Sequence, residues 1–112
     1  MSAPLTPAVF HVLLALAGGA RHGYAVMQDV HGHTGGKLRM GPGTLYGTID
    51  RLITAGWVEE VDADEPSQHD ARRRYYALTR DGRRALDTEI ERLEEAVRAA
   101  RTLRPVSKRS RS

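Results

Sequence analysis

The stretch GPGTLYGTIDRLITAGW, residues 41–57, carries the signs of a complete helix. Pro42 suits a first helical turn, because the N–H that proline lacks has no helical partner there, and Gly56 is typical of a left-handed helix stop. Between these two residues, apolar side chains recur at helical spacing. The pattern therefore predicts a helix over residues 42–55, with a core face formed by Leu45, Ile49, Leu52 and Ile53.

The opposite face of this helix is polar and carries little bulk. A helix that enters the DNA major groove needs small or hydrogen-bonding residues, together with an arginine that reaches a base edge or a phosphate. Glycine at such a face lets the backbone approach the DNA closely. Spacing alone fits an ordinary surface helix as well. At about 100° per residue, the polar face is predicted to hold Thr44, Gly47, Thr48, Arg51 and Thr54.

Composition limits what the 112-residue chain can be. With 40% hydrophobic residues, it suits one small domain with an appended helix. No apolar run approaches the roughly 20 residues that a membrane span requires, and the N-terminus lacks the pattern of a secretory signal. The chain has no cysteine, which excludes disulfides and thiolate metal sites, so we expect a cytoplasmic protein.

The net charge of +3 is unevenly distributed along the chain. Without the basic residues close to the C-terminus, the body of the protein is nearly neutral. A basic surface for nucleic acid would therefore have to come from local clustering. The basic residues near the C-terminus are Arg104, Lys108, Arg109 and Arg111, and the main internal cluster is Arg72, Arg73 and Arg74.

The other segments predict helices on both sides of the central one, together with a small sheet. Two helices precede it, the first capped by Thr6 and the second over about residues 23–31, and residues 37–39 could form a short strand. After the central helix, apolar and polar residues alternate over residues 58–62 and 74–78, which predicts two strands. An extended, mobile polar loop is predicted to join them as a hairpin. Thr79 caps a fourth helix that runs to about Leu103. The predicted fold class is mainly α with a small β hairpin, α+β, in the order of a winged helix-turn-helix.

Three segments give this order a family resemblance. They are HGYAVMQDV (residues 22–30), GPGTLYGTIDRLITAGWVEE (41–60) and RRRYYALTRDGRRAL (72–86). In order and separation they resemble the PadR family of bacterial transcription regulators. The resemblance covers residues 5–86, and the remaining helix is similar to that of the shorter branch of the family, in which a single C-terminal helix serves dimerisation.

The resemblance implies a role for each part of the chain. Residues 1–79 would be a winged helix-turn-helix DNA-binding domain, residues 80–104 a C-terminal dimerisation helix and residues 105–112 a disordered basic tail. The helix over residues 42–55 would be the recognition helix. Thr79 and Gly82 match the turn into the last helix. The residues matched to DNA-backbone contacts are Tyr46, at the start of the recognition helix, and Arg72, Arg73 and Arg74, at the base of the wing.

Two positions depart from the family pattern. Gly41 stands where a capping side chain such as serine is common, so we expect a weaker cap on the recognition helix. Trp57 stands where an aliphatic residue is usual, and after Gly56 it can fold back on Leu52. Whether Trp57 lines a ligand pocket or only packs is left open by the sequence.

The last helix supports dimerisation independently of the family. Its apolar residues recur at alternating steps of four and three, which is the spacing of a heptad seam rather than of a broad core stripe. A domain of this size has little surface left on which to bury so long a stripe. The predicted dimerisation residues are Leu86, Ile90, Leu93, Val97 and Ala100.

Together these patterns predict a transcription regulator, a repressor that binds a pseudo-palindromic operator in double-stranded DNA as a homodimer. A winged-helix protein-interaction module without DNA function is one alternative. A metal-responsive sensor is another, because the chain has five histidines. However, His31 and His33 are poorly spaced for one helix face, so neither a metal site nor a cofactor is expected.

Catalysis and effector binding leave weaker signs in the sequence. The sequence has no pattern typical of a nucleophile with its base, a catalytic carboxylate pair or a phosphate-binding loop, so an enzyme is not expected. Relatives in the family often sense small planar molecules between their dimer-forming helices. An effector of unreadable identity is therefore part of the expectation.

Overall fold

A computed structural model describes residues 3–62 and 74–103 of the chain. Within these residues, helices predominate and a small antiparallel sheet accompanies them, which confirms the predicted mainly helical α+β class. The elements are α1 (Pro7–Ala15), β1 (Arg21–His22), α2 (Gly23–His33), α3 (Pro42–Thr54), β2 (Val58–Val61), β3 (Tyr75–Leu78) and α4 (Arg80–Thr102).

The core lies where α1, α2, α3 and the first half of α4 meet, with the sheet along one side. Each helix contributes its apolar stripe, because burying that stripe is the main source of stability for helices of this length. The side chains that are fully buried there include Val12, Leu13, Val26, Val30, Leu45, Ile49 and Leu86.

The predicted strand over residues 37–39 is wrong. Gly35 and Gly36 adopt left-handed backbone conformations, and the Thr34 hydroxyl accepts a hydrogen bond of 3.1 Å from the Leu38 N–H. These features fold the segment into a turn instead of an extended strand. The third strand is β1, which pairs with β3 through Arg21 opposite Tyr76, so the sheet order is β1-β3-β2.

The ends of α3 agree with the local signals. Its N-terminus has no side-chain cap at Gly41, as predicted. At its C-terminus, Gly56 has a φ of 84° and donates to the Ile53 carbonyl, while the Trp57 N–H donates to the Leu52 carbonyl at 2.9 Å. This pair of bonds is a Schellman motif, which satisfies the last carbonyls of the helix.

Thr79 joins the end of α3 to the start of α4. Its N–H donates to the Trp57 carbonyl at 3.0 Å, and its hydroxyl donates to the Gly56 carbonyl at 2.6 Å. The same hydroxyl accepts from the Gly82 N–H and caps α4. A Cβ at Gly82 would lie 1.9 Å from the Trp57 carbonyl oxygen, so only glycine permits this approach. The orientation of α3 is therefore fixed to that of α4.

Several predicted features fall outside the described residues. These are most of the acidic loop between β2 and β3, the arginines Arg72 and Arg73, and the basic tail over residues 105–112. Within the described residues, no helix is both long enough and apolar enough to cross a membrane.

Candidate nucleic-acid interface

The exposed face of α3 is polar, as the sequence predicted, but it is rotated about the helix axis relative to the predicted face. Thr48 is 1% exposed, whereas Ile53 is 37% exposed. The predicted positions of these two side chains are therefore wrong. The buried arc of α3 follows the packing of α1, α2 and β2 around Leu45 and Ile49, and this rotation turns Thr48 inward.

Thr48 supports the exposed face from below. Its hydroxyl donates to the Thr44 carbonyl at 2.9 Å, which satisfies it inside the helix. The same oxygen accepts from Arg51 Nη2 at 3.3 Å. Thr48 thus positions the Arg51 guanidinium and has no surface of its own from which to contact a partner.

The residues that α3 presents to the outside are small or polar. Thr44 and Arg51 are exposed, and Gly47 lies half-buried between them with no side chain to hold a partner away. Asp50 is also exposed on this face and was missed by the sequence reasoning. A carboxylate repels phosphate, but it can accept a hydrogen bond from a cytosine amino group.

Tyr46 lies at one edge of this face and is held from two sides. The residue is 41% exposed, and its ring centroid lies 6.5 Å from that of Tyr76. Burial raises the pKa of the Tyr76 phenol above its ordinary value. On the other side, a Cβ built on Gly23 would lie 2.2 Å from the Tyr46 hydroxyl. Gly23 therefore leaves the space in which the Tyr46 ring lies against the start of α2.

The base of the wing is described only at Arg74. This side chain is exposed, and its Nε lies 3.9 Å from the Glu60 carboxylate on β2. Exposed pairs of this kind contribute at most about 1 kcal/mol and exchange readily with water or phosphate. The Arg74 guanidinium thus stays accessible to a second anion.

The predicted seam on α4 divides into a buried and an exposed part. Leu86 is 0% exposed and belongs to the core of its own domain, so its predicted place in the dimer contact is wrong. Ile90 packs partly on the core, whereas Leu93, Val97 and Ala100 are exposed. An apolar groove follows this exposed part, and Phe10 of α1 forms its other wall. The sequence did not single out Phe10, because its spacing fits the stripe of α1.

The histidines in the described part of the chain have local structural surroundings. His22 caps α2 by accepting from the Ala25 N–H at 3.1 Å. Burial lowers the pKa of His11, and nearby His33 lowers it further. Among residues 3–62 and 74–103, no group of three histidine or carboxylate side chains has the geometry to hold a metal ion.

Trp57 both packs and lines a cavity. Its backbone closes the Schellman motif, and its side chain forms one wall of a cavity between the N-terminal segment and α4. At the far side of this cavity, the buried Glu89 carboxylate accepts hydrogen bonds from Arg92 and from the Leu5 N–H. These bonds, chiefly those from Arg92, lower the pKa of Glu89.

Comparison with known proteins identifies the family. The profile of the transcriptional regulator PadR-like family matches residues 12–88. An uncharacterized 37.1 kDa protein in transposon Tn4556 of Streptomyces fradiae is 40% identical over 81 residues, which are 70% of this chain and 20% of that protein. This chain therefore spans a fifth of the length of that relative.

Solved structures share the fold. A PadR family transcription regulator from Clostridium difficile R20291 superposes with a TM-score of 0.70 at 18% identity, covering 84% of this chain and 94% of that one. Bacillus subtilis PadR, solved in complex with operator DNA, gives a TM-score of 0.65 at 15% identity, covering 95% of this chain and 52% of that one. The fold is thus that of the winged-helix regulators of this family, which is a family of regulators and not of enzymes. The chain belongs to the PadR-like family of transcriptional regulators.

Proposed function

We propose that this protein is a homodimeric repressor that binds a pseudo-palindromic operator in double-stranded DNA, in the cytoplasm. The single observation that carries the proposal is the exposed face of α3. It combines the hydroxyl of Thr44, the bare backbone of Gly47 and the positioned guanidinium of Arg51. A helix with these groups suits the major groove, in which hydrogen bonds to base edges specify sequence.

The proposed contacts fall into two groups. Arg51 and Thr44 would contact base edges, and Gly47 would allow the backbone to come close to the DNA. Tyr46 and the wing arginines Arg72, Arg73 and Arg74 would bind phosphates, which supply affinity without sequence preference. Thr48 is not proposed as a base contact, because its buried hydroxyl supports Arg51 instead.

The dimer is proposed from the exposed part of the α4 seam. Within the described residues, Leu93 and Val97 are large apolar side chains that stay 37% and 50% exposed. A second copy would cover this groove with the same helix and with Phe10. Two recognition helices could then read half-sites about 34–36 Å apart. In this proposal, residues 1–79 form the DNA-binding domain, residues 80–104 form the dimerisation helix and residues 105–112 form a basic tail.

The test is binding to sheared genomic DNA, with sequencing of the retained fragments. A repressor of this kind enriches one sequence family with two-fold symmetry, and its affinity falls steeply with salt. Arg51→Ala should lose roughly 10-fold or more on the enriched sequence and much less on random DNA, since a base contact gives about 1–3 kcal/mol of discrimination. Arg84→Ala is the matched control, because it removes an exposed arginine of α4 outside this face.

The results of these binding experiments distinguish the proposed repressor from the alternatives. Equal loss on both kinds of DNA would make Arg51 a phosphate contact. Retention without any enriched sequence would contradict the operator. No salt-dependent retention at all would favour the protein-interaction module instead.

The position of Tyr46 can be tested through a glycine pair in α2. Gly23→Ala introduces a Cβ into the space of the Tyr46 ring, whereas a Cβ at Gly32 meets nothing within 4 Å. Gly23→Ala should therefore weaken binding to all DNA sequences alike, and Gly32→Ala should leave binding unchanged. Equal affinities of the two variants would show that Tyr46 does not anchor the DNA backbone.

A further inference from the structure

An open groove of about 590 Å³ lies between the exposed face of α2 and the segment that leads into α3. Its floor is apolar and is formed by Met40, which is buried, and Met27, which is half-buried. Its rim carries the exposed polar side chains of Tyr24, Gln28 and Arg39. The groove therefore combines hydrogen-bond donors at its rim with a hydrocarbon floor.

The groove carries positive charge that nothing beside it balances. Among the described residues that line it, none has a carboxylate. Asp29 follows Gln28 in the sequence, but its Oδ2 lies 2.9 Å from Arg21 Nη2, so that acid already has a cation. Within the described ranges, the Arg39 guanidinium has neither an ion pair nor a hydrogen bond with another residue. Its five N–H donors are thus all available to an anionic partner.

Both ends of the groove adjoin the proposed recognition helix. Gly41, which lines one end, is the N-cap of α3. At the other end, Tyr24 follows Gly23, and the space beside Gly23 is filled by the Tyr46 hydroxyl. Tyr24 is 56% exposed and Tyr46 is 41% exposed. The polar rim therefore continues from Tyr46 along α2 to Arg39.

The length of this rim suits a DNA strand. Tyr24, Gln28 and His31 recur at helical spacing, so they share one face of α2. Between the first and the last of them the helix rises by about 10 Å. One strand of B-DNA carries a charge for about every 3.4 Å of duplex axis, so the rim spans roughly two or three phosphates. A Cβ at Gly36 would lie 3.2 Å from His31 Nε2, so the His31 ring rests against the turn that precedes α3.

We propose that this groove binds the DNA backbone beside each half-site, as a phosphate track that runs from Tyr46 along α2 to Arg39. The proposal rests on the DNA-binding function proposed above and names further phosphates that this function uses. DNA is favoured over an acidic protein segment because the track begins at Tyr46 and ends beside Gly41, both residues of the reading helix. Tyr24, Gln28 and Arg39 donate to phosphate oxygens, and the methionine floor contacts deoxyribose.

The first experiment measures DNA affinity of Arg39→Gln at several salt concentrations. The variant should bind enriched and random DNA more weakly by the same factor, roughly 10-fold at low salt, because each of the two protomers loses a phosphate contact. The salt slope should fall by about 0.9 for each lost contact, which is about 1.8 for the dimer. Arg84→Gln is the matched control, since it removes the same charge from an exposed position of α4. An unchanged slope for Arg39→Gln would overturn its phosphate contact.

A second variant adds a charge to the middle of the track. Gln28→Glu keeps the size of the side chain but places a carboxylate among the phosphates, so it should weaken binding to all DNA sequences. Thr88→Glu adds the same charge to an exposed position of α4 and should leave binding unchanged. Circular dichroism establishes that both variants are folded. A folded Gln28→Glu protein with wild-type affinity would contradict the track.

Single methylphosphonate substitutions in the enriched fragment then locate the track. A neutral linkage opposite Arg39 should weaken the wild type and have little effect on Arg39→Gln, and the same test with Tyr46→Phe locates the phosphate at Tyr46. The two positions should lie on one strand, about two or three nucleotides apart, because the rim between them is about 10 Å long. Positions on opposite strands, or no position coupled to Arg39, would show that the backbone does not follow this groove.

The same experiments separate this proposal from the function on which it rests. A wild type that enriches a symmetric sequence, together with Arg39→Gln and Gln28→Glu variants that bind it equally well, would leave the repressor standing and the track refuted. The groove would then be free on DNA and would suit a protein partner instead. A wild type that retains no DNA would refute the repressor and the track together.

Discussion

The two halves of α4 carry one continuous apolar stripe but have different surroundings. In the first half, Leu86 is fully buried and Glu89 is hydrogen-bonded to the N-terminal segment. In the second half, from residue 91 to residue 102, every residue is exposed, including Leu93 and Val97. Heptad spacing therefore predicts that a stripe will be covered, but it does not tell whether the cover comes from the same chain or from another.

The largest expected effect lies in the first half. Leu86→Ala should lower the free energy of unfolding by about 2–5 kcal/mol, because it opens a cavity in the core of the protomer. Urea denaturation at two protein concentrations, well apart, measures this loss. The loss should be the same at both concentrations, since the contact lies within one chain. A loss that varied with concentration would place Leu86 in the dimer contact after all.

The same substitution in the second half should behave differently. Leu93→Ala should cost about 1–2 kcal/mol per protomer, because Leu93 loses burial only against a partner. Linkage to dimer formation makes this cost depend on protein concentration and disappear when the chain is monomeric. The denaturation series used for Leu86→Ala measures it. A cost that is unchanged by dilution would mean that the second half packs on its own domain.

The smallest expected effect on stability concerns the carboxylate of Glu89, in the first half of α4. The pKa of Glu89 is lowered in the folded protein by its hydrogen bonds with Arg92 and Leu5. The stability that Glu89 contributes is therefore present above its ordinary pKa of 4.5 and is lost as the pH falls through the lowered pKa. Melting temperatures measured from neutral to acidic pH should fall less steeply for Glu89→Gln than for the wild type.

Glu94, exposed in the second half of α4, supplies the control. Glu94→Gln should follow the wild-type pH dependence closely. If Glu89→Gln and Glu94→Gln gave the same dependence of melting temperature on pH, the hydrogen bonds of Glu89 would contribute nothing to the loss of stability at acidic pH.

Local chemistry explains which features could be predicted from the sequence. The left-handed stop at Gly56, the cap at Thr79 and the bare start at Gly41 depend on neighbouring residues alone, and the structure confirms all three. The burial of Thr48 and the exposure of Ile53 could not be predicted, because the buried arc of α3 is set by the helices packed around it.

Features assembled from distant residues were also missed. A strand of two residues such as β1 has no period to detect, so its pairing with β3 is visible only in the fold. The cavity beside Trp57 joins the N-terminal segment to α3 and α4, which are far apart in sequence. The roles of Arg72 and Arg73 and of the basic tail stay predictions, because those residues lie outside the described ranges.

The proposed homodimer requires the exposed half of α4 to hold two DNA-reading domains together. Sedimentation of Leu93→Asp beside the wild type, with and without the enriched DNA fragment, tests it most directly. We expect a dimeric wild type that binds the fragment, and a monomeric variant that has lost it, because burying a carboxylate among the apolar side chains of the seam is costly. A Leu93→Asp protein that still sediments as a dimer would show that the exposed half of α4 does not form the dimer contact.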